Sequence, residues 1–392
     1  MTSSYQDMED VLALDIETLR GKRIARWRNL LTASGGQLVV FGAGELGLKT
    51  LKGLISEGIR PRAILDNRAT FSSPAIMGVP MLTPSEAVAT LGTGTLCLVA
   101  VFNTSGPRKQ LTSLGFRHVA HALDAFPGLP DQFLPYVCLD NTDVIFQQAE
   151  QVRAAYNLMA DEPSRRAFVA QLRHRLFLDF DVVRAPQTPE MKSSEYFPDD
   201  LYRYLDDEVL VDCGAFRGDT ITRFIEKRGT KFSLIYGLEP DRKNFEALQL
   251  YVAGLGAETS SRIKPLPYGV GSRSEDISFN GDGSVRSGSS AGGAETIRVE
   301  RLDDICRERS PSLIKMDIEG SEPDALEGAR RLIAAHSPVL AICVYHASTH
   351  LWKIPLLAAN LNPGYRVFLR AHAEDCWDVT CYAVPRNRCI SS

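Results

Sequence analysis

The 392-residue chain has no dense tract of lysine and arginine, no apolar run long enough to cross a membrane, and no Cys-x-x-Cys pair. The first absence, with a formal net charge of −4, argues against nucleic acid as the main partner. The second leaves no candidate membrane span. The eight cysteines, at 97, 138, 213, 306, 343, 376, 381 and 389, are scattered. They read as reduced, mostly buried thiols and not as a zinc site or disulfide framework. The opening residues MTSSYQDMED hold no basic segment followed by an apolar core, so no secretory signal is expected and the expected location is the cytoplasm. What remains is ordinary for a globular protein: 44% apolar and 23% charged residues, over a length that suits two domains.

Residues 209–220, VLVDCGAFRGDT, are the most informative stretch. A strand over 209–211 runs into Asp212, a turn spans Gly214 to Gly218, and a helix follows with Ile221, Phe224 and Ile225 on one face. The next strand, over 234–238, ends in Glu239, 21 residues after Gly218. Strand, glycine turn, helix, strand and acid make the plan of a nucleoside-binding βαβ unit. The spacing is Gly-x-x-x-Gly rather than Gly-x-Gly-x-x-Gly, which suits a nucleoside without a pyrophosphate, such as S-adenosylmethionine, better than NAD. Asp212 at the strand's carboxyl end would lie at the mouth of the sheet and offset a cationic cofactor, and Glu239 would accept both ribose hydroxyls. The plainer roles are a turn cap for Asp212 and a helix cap, behind Pro240, for Glu239.

A second glycine turn lies upstream. After a helix expected over 5–32, a strand over 38–41 leads into Gly42-Ala43-Gly44-Glu45-Leu46-Gly47, a full Gly-x-Gly-x-x-Gly. A helix bearing Leu48, Leu51, Leu54 and Ile55 stops at Gly58, and the next strand ends at Asp66, 19 residues beyond Gly47. Further strands are expected over 96–101 and 118–122. Gly42, Gly44, Gly47 and Asp66 fit a dinucleotide site. No dehydrogenase-like catalytic group accompanies them, because His118 and His121 have no partner motif. A scaffold without a ligand, or a module presenting a nucleotide sugar or an acceptor, is preferred here over an NAD enzyme. The expected organisation is α/β, with two Rossmann-like doubly wound domains. An N-terminal helix and small Rossmann-like domain occupy 1–140, a connector of two helices 141–194, and a second domain 195–392.

In the second domain the alternation continues with a helix over 242–253, a strand over 263–267, and a Gly/Ser-rich loose segment over 271–294 holding a short strand at 277–279. That segment reads equally as a solvated linker or as a flap near cofactor or acceptor. A strand over 312–316 leads into Asp317-Ile318-Glu319-Gly320-Ser321, with Ser321 placed to cap the next helix and Pro323 in its first turn. A strand over 339–344 ends in Tyr345-His346. Residues 365–370 and 377–384 alternate in period two, as a terminal antiparallel hairpin would. Parallel strands followed by such a hairpin match the class I methyltransferase plan of seven strands with one reversed edge. Acceptor contacts are expected in the loops over 185–200 and 280–295.

Six ordered motifs over about residues 195–385 go further: YFPDDLYRYLDDEVLVDCGAFRGDT, YGLEPD, ERLDD, IKMDIEGSEPDALEGA, SPVLAICVYH and YRVFLRAH. On these motifs the second domain strongly resembles the FkbM family of S-adenosylmethionine-dependent methyltransferases. The resemblance implies a class I fold and methyl transfer to oxygen, on acceptors that are often sugar or polyketide hydroxyls. It implies a cofactor loop of Asp212, Gly214 and Gly218, with Ala215, Asp219 and Thr220 beside them. It implies Glu239 and Pro240 at the ribose, Tyr268, Gly269 and Val270 near the adenine, and Lys315, Asp317, Glu319 and Gly320 at the methionine end. Tyr345 and His346 match the motif after the next strand. Residues 37–101 are similar to the small Rossmann domain attached to many such methyltransferases.

Methyl transfer is an in-line displacement at a sulfonium carbon, and alignment of the reactants supplies much of its rate. An alcohol acceptor also loses a proton, so a positioned base would help, typically by ~10²–10⁴-fold. Asp317, Glu319 and His346 are the candidates. Each has a plainer role: His346 as a hydrogen-bonded strand-end histidine, Glu319 as a charge near a helix start, and Asp317 as a cofactor contact. Asp317, Glu319, His346 and His350 have the donor types for a divalent metal, but their spacing is unspecific and no metal is assigned. The reading is an O-methyltransferase using S-adenosylmethionine on a saccharide or other small-molecule acceptor. Its rivals are an NAD-dependent sugar oxidoreductase centred on Gly42–Gly47 and a non-enzymatic nucleotide-binding regulator.

Overall fold

The structure is a computed structural model and describes residues 4–70, 73–178, 194–280, 288–289, 295–373 and 377–390. Parts of the loops expected over 185–200 and 280–295 lie outside the described residues. The chain divides into two compact units: residues 1–8, 148–171 and 183–392 form one, and residues 9–147 and 172–182 the other. The segment 141–194 is divided between them. No helix among the described residues is long and apolar enough to cross a membrane.

The unit holding residues 9–147 is built on five short strands, β1 (Leu38–Phe41), β2 (Ile64–Leu65), β3 (Met81–Leu82), β4 (Leu96–Val99) and β5 (His118–His121). They are parallel and ordered β3-β2-β1-β4-β5. β1 and β4 are buried at every residue, which is why they are continuous apolar runs rather than alternating ones. β3 was not anticipated, because two residues carry no readable period. The single helix expected over 5–32 is two helices, Ser4–Leu12 and Ile16–Ala33. The Asp15 side chain accepts from Thr18 N at 2.8 Å and so starts the second helix afresh.

The other unit holds a seven-stranded sheet made of β6 (Glu208–Cys213), β7 (Phe232–Leu238), β8 (Ile263–Leu266), β13 (Leu313–Met316), β14 (Val339–Cys343), β15 (Tyr365–Ala371) and β16 (Val379–Pro385). Its order is β15-β16-β14-β13-β6-β7-β8. β16 runs antiparallel to both β14 and β15. The reversed strand therefore sits one place in from the edge, a correction to the expected reversed edge. Pairing from Tyr365↔Pro385 to Ala371↔Val379 gives β16 one neighbour, and β14 takes its other side. Burial on both sides leaves every residue of β16 covered.

Between β8 and β13 the chain builds a second, four-stranded sheet from β9 (Gly269–Val270), β10 (Glu275–Asn280), β11 (Gly288–Ser289) and β12 (Glu295–Glu300), ordered β11-β10-β12-β9. Only a fragment of β10 was legible beforehand, because glycine and serine around it mask its period. Ile277, Phe279, Ile297 and Val299 gather into one apolar cluster there. In the seven-stranded sheet, chain order reverses at β6, which has β7 on one side and β13 on the other. The carboxyl ends of β6, β7 and β13 thus border the crevice where open α/β sheets take ligands.

The amino end of β6 is tied by a buried network. Glu208 is wholly buried, and both its oxygens face the Arg388 guanidinium, at 2.9 and 3.0 Å. Ser312 Oγ also donates to Glu208 at 2.8 Å, and Arg388 donates on to the carbonyls of Ser312 (2.7 Å) and Arg203 (2.9 Å). Arg388→Ala would strand a buried carboxylate, so it is expected to lower the unfolding free energy by about 3–5 kcal/mol. Urea unfolding of parent and variant checks this; a loss below about 1 kcal/mol would show that the pair is replaceable by solvent.

Candidate functional site

A cavity of about 390 Å³ opens at the carboxyl ends of β6, β7 and β13. Its walls include Gly214, Phe216, Asp219 and Thr220 after β6, Glu239 and Pro240 after β7, Tyr268 to Ser272 after β8, and Lys315, Asp317, Ile318 and Glu319 around the end of β13. Ile277, Phe279, Ile297 and Val299 of the small sheet supply an apolar wall.

The turn after β6 is as tight as its glycines allow. Gly214 has φ +77°, and a Cβ there would lie 2.0 Å from the carbonyl oxygen of Asp317. Gly218 packs under the Tyr251 ring and begins the helix Asp219–Arg228. Ala215 and Gly218 sit in the turn but do not line the cavity, and neither does Asp212. Asp212, expected at the mouth of the sheet, is wholly buried beneath it. The Lys315 ammonium lies 2.9 Å from Asp212 Oδ1, and its directional hydrogen bonds go to the carbonyls of Gly214 (2.8 Å) and Cys213 (3.3 Å). Burial pushes the Asp212 carboxyl up to about 6, against the pull of Lys315. Burial alone would lower Lys315, but the charges of Asp212 and Asp317 outweigh it and hold the ammonium protonated. At neutral pH the two therefore form an ion pair that staples the glycine turn to β13.

Glu239 does reach the cavity. Its carboxylate also accepts from the backbone N–H groups of Phe216 and Asp241, each at 2.9 Å, which fixes its orientation. The helix cap in this turn is Asp241, not Glu239: Asp241 Oδ1 accepts from Asn244 N at 2.9 Å. Burial pushes the Glu239 carboxyl up to about 7, opposed by the two backbone bonds. Tyr268, Gly269 and Val270 line the cavity beside β9.

Asp317 is the most heavily held of the candidate acids, and its side chain keeps 26% exposure. Tyr196 OH donates to Oδ2 at 2.9 Å, and Tyr345 OH to Oδ1 at 3.3 Å. His346 Nε2 lies 3.2 Å from Oδ1, off the line of a good hydrogen bond, and so acts chiefly as a charge. On its other side His346 Nδ1 meets Glu322 Oε1 at 2.7 Å. Glu322 is wholly buried and organises the turn: its Oε1 also accepts from Ile318 N (3.0 Å) and Gly320 N (3.4 Å), and its Oε2 faces His350 Nδ1 at 3.3 Å. Held this way, Glu319 adopts φ +53°, a strained value for a non-glycine residue. Ser321 occupies the cap position of the helix Glu322–Gly328 but makes no side-chain cap bond.

The electrostatics follow from this packing. Burial would lower the His346 pKa, but Glu322 and Asp317 on either side outweigh it and raise it well above the usual histidine value. Burial would raise Asp317 and Glu322, but His346 holds both well below the carboxylate range, with Lys315 and Tyr196 aiding at Asp317. His346 is thus an imidazolium between two carboxylates, and it does not line the cavity. An imidazolium has no lone pair with which to accept a proton, which speaks against the expected role of His346 as a base. Asp317 and Glu319 do line the cavity. Donor atoms of Asp317, Glu322 and His346 lie within 4.8 Å of one another, a set able to hold a divalent cation. Because the two ring nitrogens face different carboxylates, the arrangement suits a shared proton better.

Glu195, Tyr196, Arg223 and Asn244 line the cavity and Glu322 stands behind His346, and sequence reasoning singled out none of the five. Glu322 looks like a routine acid at a helix start, and Arg223 like the partner of Asp219 four residues earlier. In the N-terminal turn, a Cβ on Gly47 would lie 1.9 Å from the Gly42 carbonyl oxygen, and one on Gly42 2.8 Å from that of Ala100. Packing of the chain on itself accounts for both glycines. A Cβ on Gly44 meets nothing within 4 Å, and Asp66 pairs with Arg68 at 3.2 Å.

Residues 212–373 match the family model described as the methyltransferase FkbM domain. The chain is also similar to the crystal structure of methyltransferase FkbM from Methylobacillus flagellatus KT, at 25% identity and a TM-score of 0.76, with 96% of this chain and 99% of that chain covered. The chain therefore carries an FkbM-type methyltransferase domain. A SAM-dependent methyltransferase from Aquifex aeolicus aligns over 53% of this chain and 96% of its own, at 12% identity and a TM-score of 0.31. No curated protein matches the sequence.

Glu322→Gln removes a counter-charge from buried His346 and is expected to cost about 3–5 kcal/mol of stability at neutral pH. The Glu322 carboxyl is held below its unfolded value, so its contribution is present above about pH 4.3 and is lost as pH falls through the folded pKa. Urea midpoints of parent and variant should therefore differ widely at pH 7 and converge in strong acid. A pH-independent gap would mean that shape, not charge, is what Glu322 supplies.

Proposed function

We propose that the C-terminal unit transfers a methyl group from S-adenosylmethionine to a hydroxyl group of a saccharide or other small-molecule acceptor. The observation that carries this reading is the charge of the cavity. Eight lining side chains are carboxylates (Glu195, Asp219, Glu239, Glu275, Asp317, Glu319, Asp324 and Asp378), and two, Arg223 and Lys315, are cations. A wall so rich in carboxylate favours a cationic sulfonium ligand and opposes a pyrophosphate. The two-oxygen carboxylate of Glu239, fixed from behind by two amides, suits a ribose diol. The FkbM methyltransferase domain supports the reaction class.

In this reading Asp317 faces the acceptor. A carboxylate held so far below its usual pKa takes up a proton poorly, so its contribution is to accept the hydroxyl's hydrogen bond and aim an oxygen lone pair at the methyl carbon. Tyr196 and Tyr345 hold it in place, and His346 keeps it ionised. Glu319, at its strained turn, is the second carboxylate at this end. The apolar wall of the small sheet would exclude water from the reacting atoms.

Calorimetric titration of the full-length chain with S-adenosylhomocysteine tests the cofactor: one saturable site is expected, and no binding to folded protein would sink the reading. The affinity should rise as pH is raised through about 7, where Glu239 ionises and both its oxygens become acceptors. Glu239→Gln should flatten that rise; a pH-independent parent would remove Glu239 from the ribose. With an acceptor found by screening saccharides and nucleotide sugars, Asp317→Asn should slow formation of S-adenosylhomocysteine by roughly 10²-fold, through lost alignment, while sparing cofactor affinity. Undiminished turnover would mean that Asp317 does not face the acceptor.

A further inference from the structure

Arg223 and Glu195 line the cavity beside Tyr196, and neither bonds Asp317 or His346 directly. Arg223 stands one turn into the helix Asp219–Arg228, with Nη1 2.8 Å from Glu195 Oε2 and Nη2 3.7 Å from Asp219 Oδ2. Its guanidinium lies over the Tyr196 ring, 5.5 Å from the centroid. The Arg223 side chain keeps 26% exposure and that of Glu195 10%, so the pair forms cavity wall and is not a solvated surface bridge.

We infer that the Arg223–Glu195 pair is the subsite for the α-amino-acid end of the cofactor, with the guanidinium taking its carboxylate and Glu195 its ammonium. This rests on the cofactor proposed above. Two opposite charges held side by side in a wall complement a zwitterion whose own charges are adjacent. The other lining cation, Lys315, is already committed to Asp212 and two carbonyls, which leaves Arg223 for a carboxylate. The short bond to Glu195 uses one arm of a planar five-donor fork, so donors remain for a second carboxylate. Thr220, also in the wall, places the start of the same helix beside this point, and a helix start favours an anion. Burial pushes the Glu195 carboxyl upward against the pull of Arg223, and an arriving ammonium would offset that burial.

The test compares S-adenosylhomocysteine with 5′-methylthioadenosine, which carries the same nucleoside and no amino acid. Both are titrated into full-length parent and Arg223→Ala. The variant is expected to bind S-adenosylhomocysteine about 10- to 100-fold more weakly while 5′-methylthioadenosine is unaffected, so that the ratio of the two dissociation constants collapses. Arg223→Lys, which keeps the charge and loses the fork, should recover part of the ratio. An equal loss for both ligands would show that the pair only shapes the pocket and would overturn the inference; so would an unchanged ratio with unchanged affinities. Failure of the parent to bind either ligand would instead sink the cofactor reading, and the inference with it.

Discussion

One buried ammonium organises the site. Sheet register sets Lys315 of β13 directly opposite Asp212 of β6, at the point where chain order reverses. Both side chains are out of water, so each would be costly alone, and together they are tolerated only at close range. Lys315 offsets its remaining desolvation by binding the carbonyls of Cys213 and Gly214. Its Nζ also lies 5.2 Å from the Tyr196 ring centroid. The glycine turn, the end of β13 and the Tyr196 segment thus share one charge.

Asp317 is the next link outward. It follows Lys315 by two residues and receives two tyrosine hydroxyls and a histidine charge. Behind His346 stands Glu322, whose single oxygen also gathers two amides of the strained turn at Glu319. Charge therefore alternates from the core to the cavity: Glu322 negative, His346 positive, Asp317 negative, with Lys315 beneath. Such an array is stable only when complete, because each member offsets the burial of its neighbour. It also sets Asp317 as a permanently ionised acceptor of hydrogen bonds rather than a strong base.

Much of this was legible in the sequence, and the limits have physical causes. Strand β1, the helix Arg242–Ala253 and the turn from Gly214 to Gly218 follow from apolar runs, 3.6-residue periodicity and glycine, all local signals. The small sheet was not legible, because its strands are short or interrupted and its pairing joins residues far apart, such as Gly269 with Val299. The place of β16 was missed for the same reason: a period-two pattern marks a strand but not its neighbours. The N-terminal turn shows the converse. Its full Gly-x-Gly-x-x-Gly pattern is matched, yet at Gly42 and Gly47 contact between backbone segments is reason enough for glycine.

The sequence by itself determined which residue types stand where β6, β7, β13 and β14 end, and through their ordered motifs the resemblance to the FkbM methyltransferases. These are properties of short segments, and short segments carry them. Only the tertiary structure decided what each charge faces. Asp212 turned inward to Lys315, His346 was enclosed by two carboxylates, and Arg223 and Glu195, 28 residues apart, met in one wall. Burial and pairing set the protonation of a side chain, and both are sums over neighbours that the fold brings from distant parts of the chain.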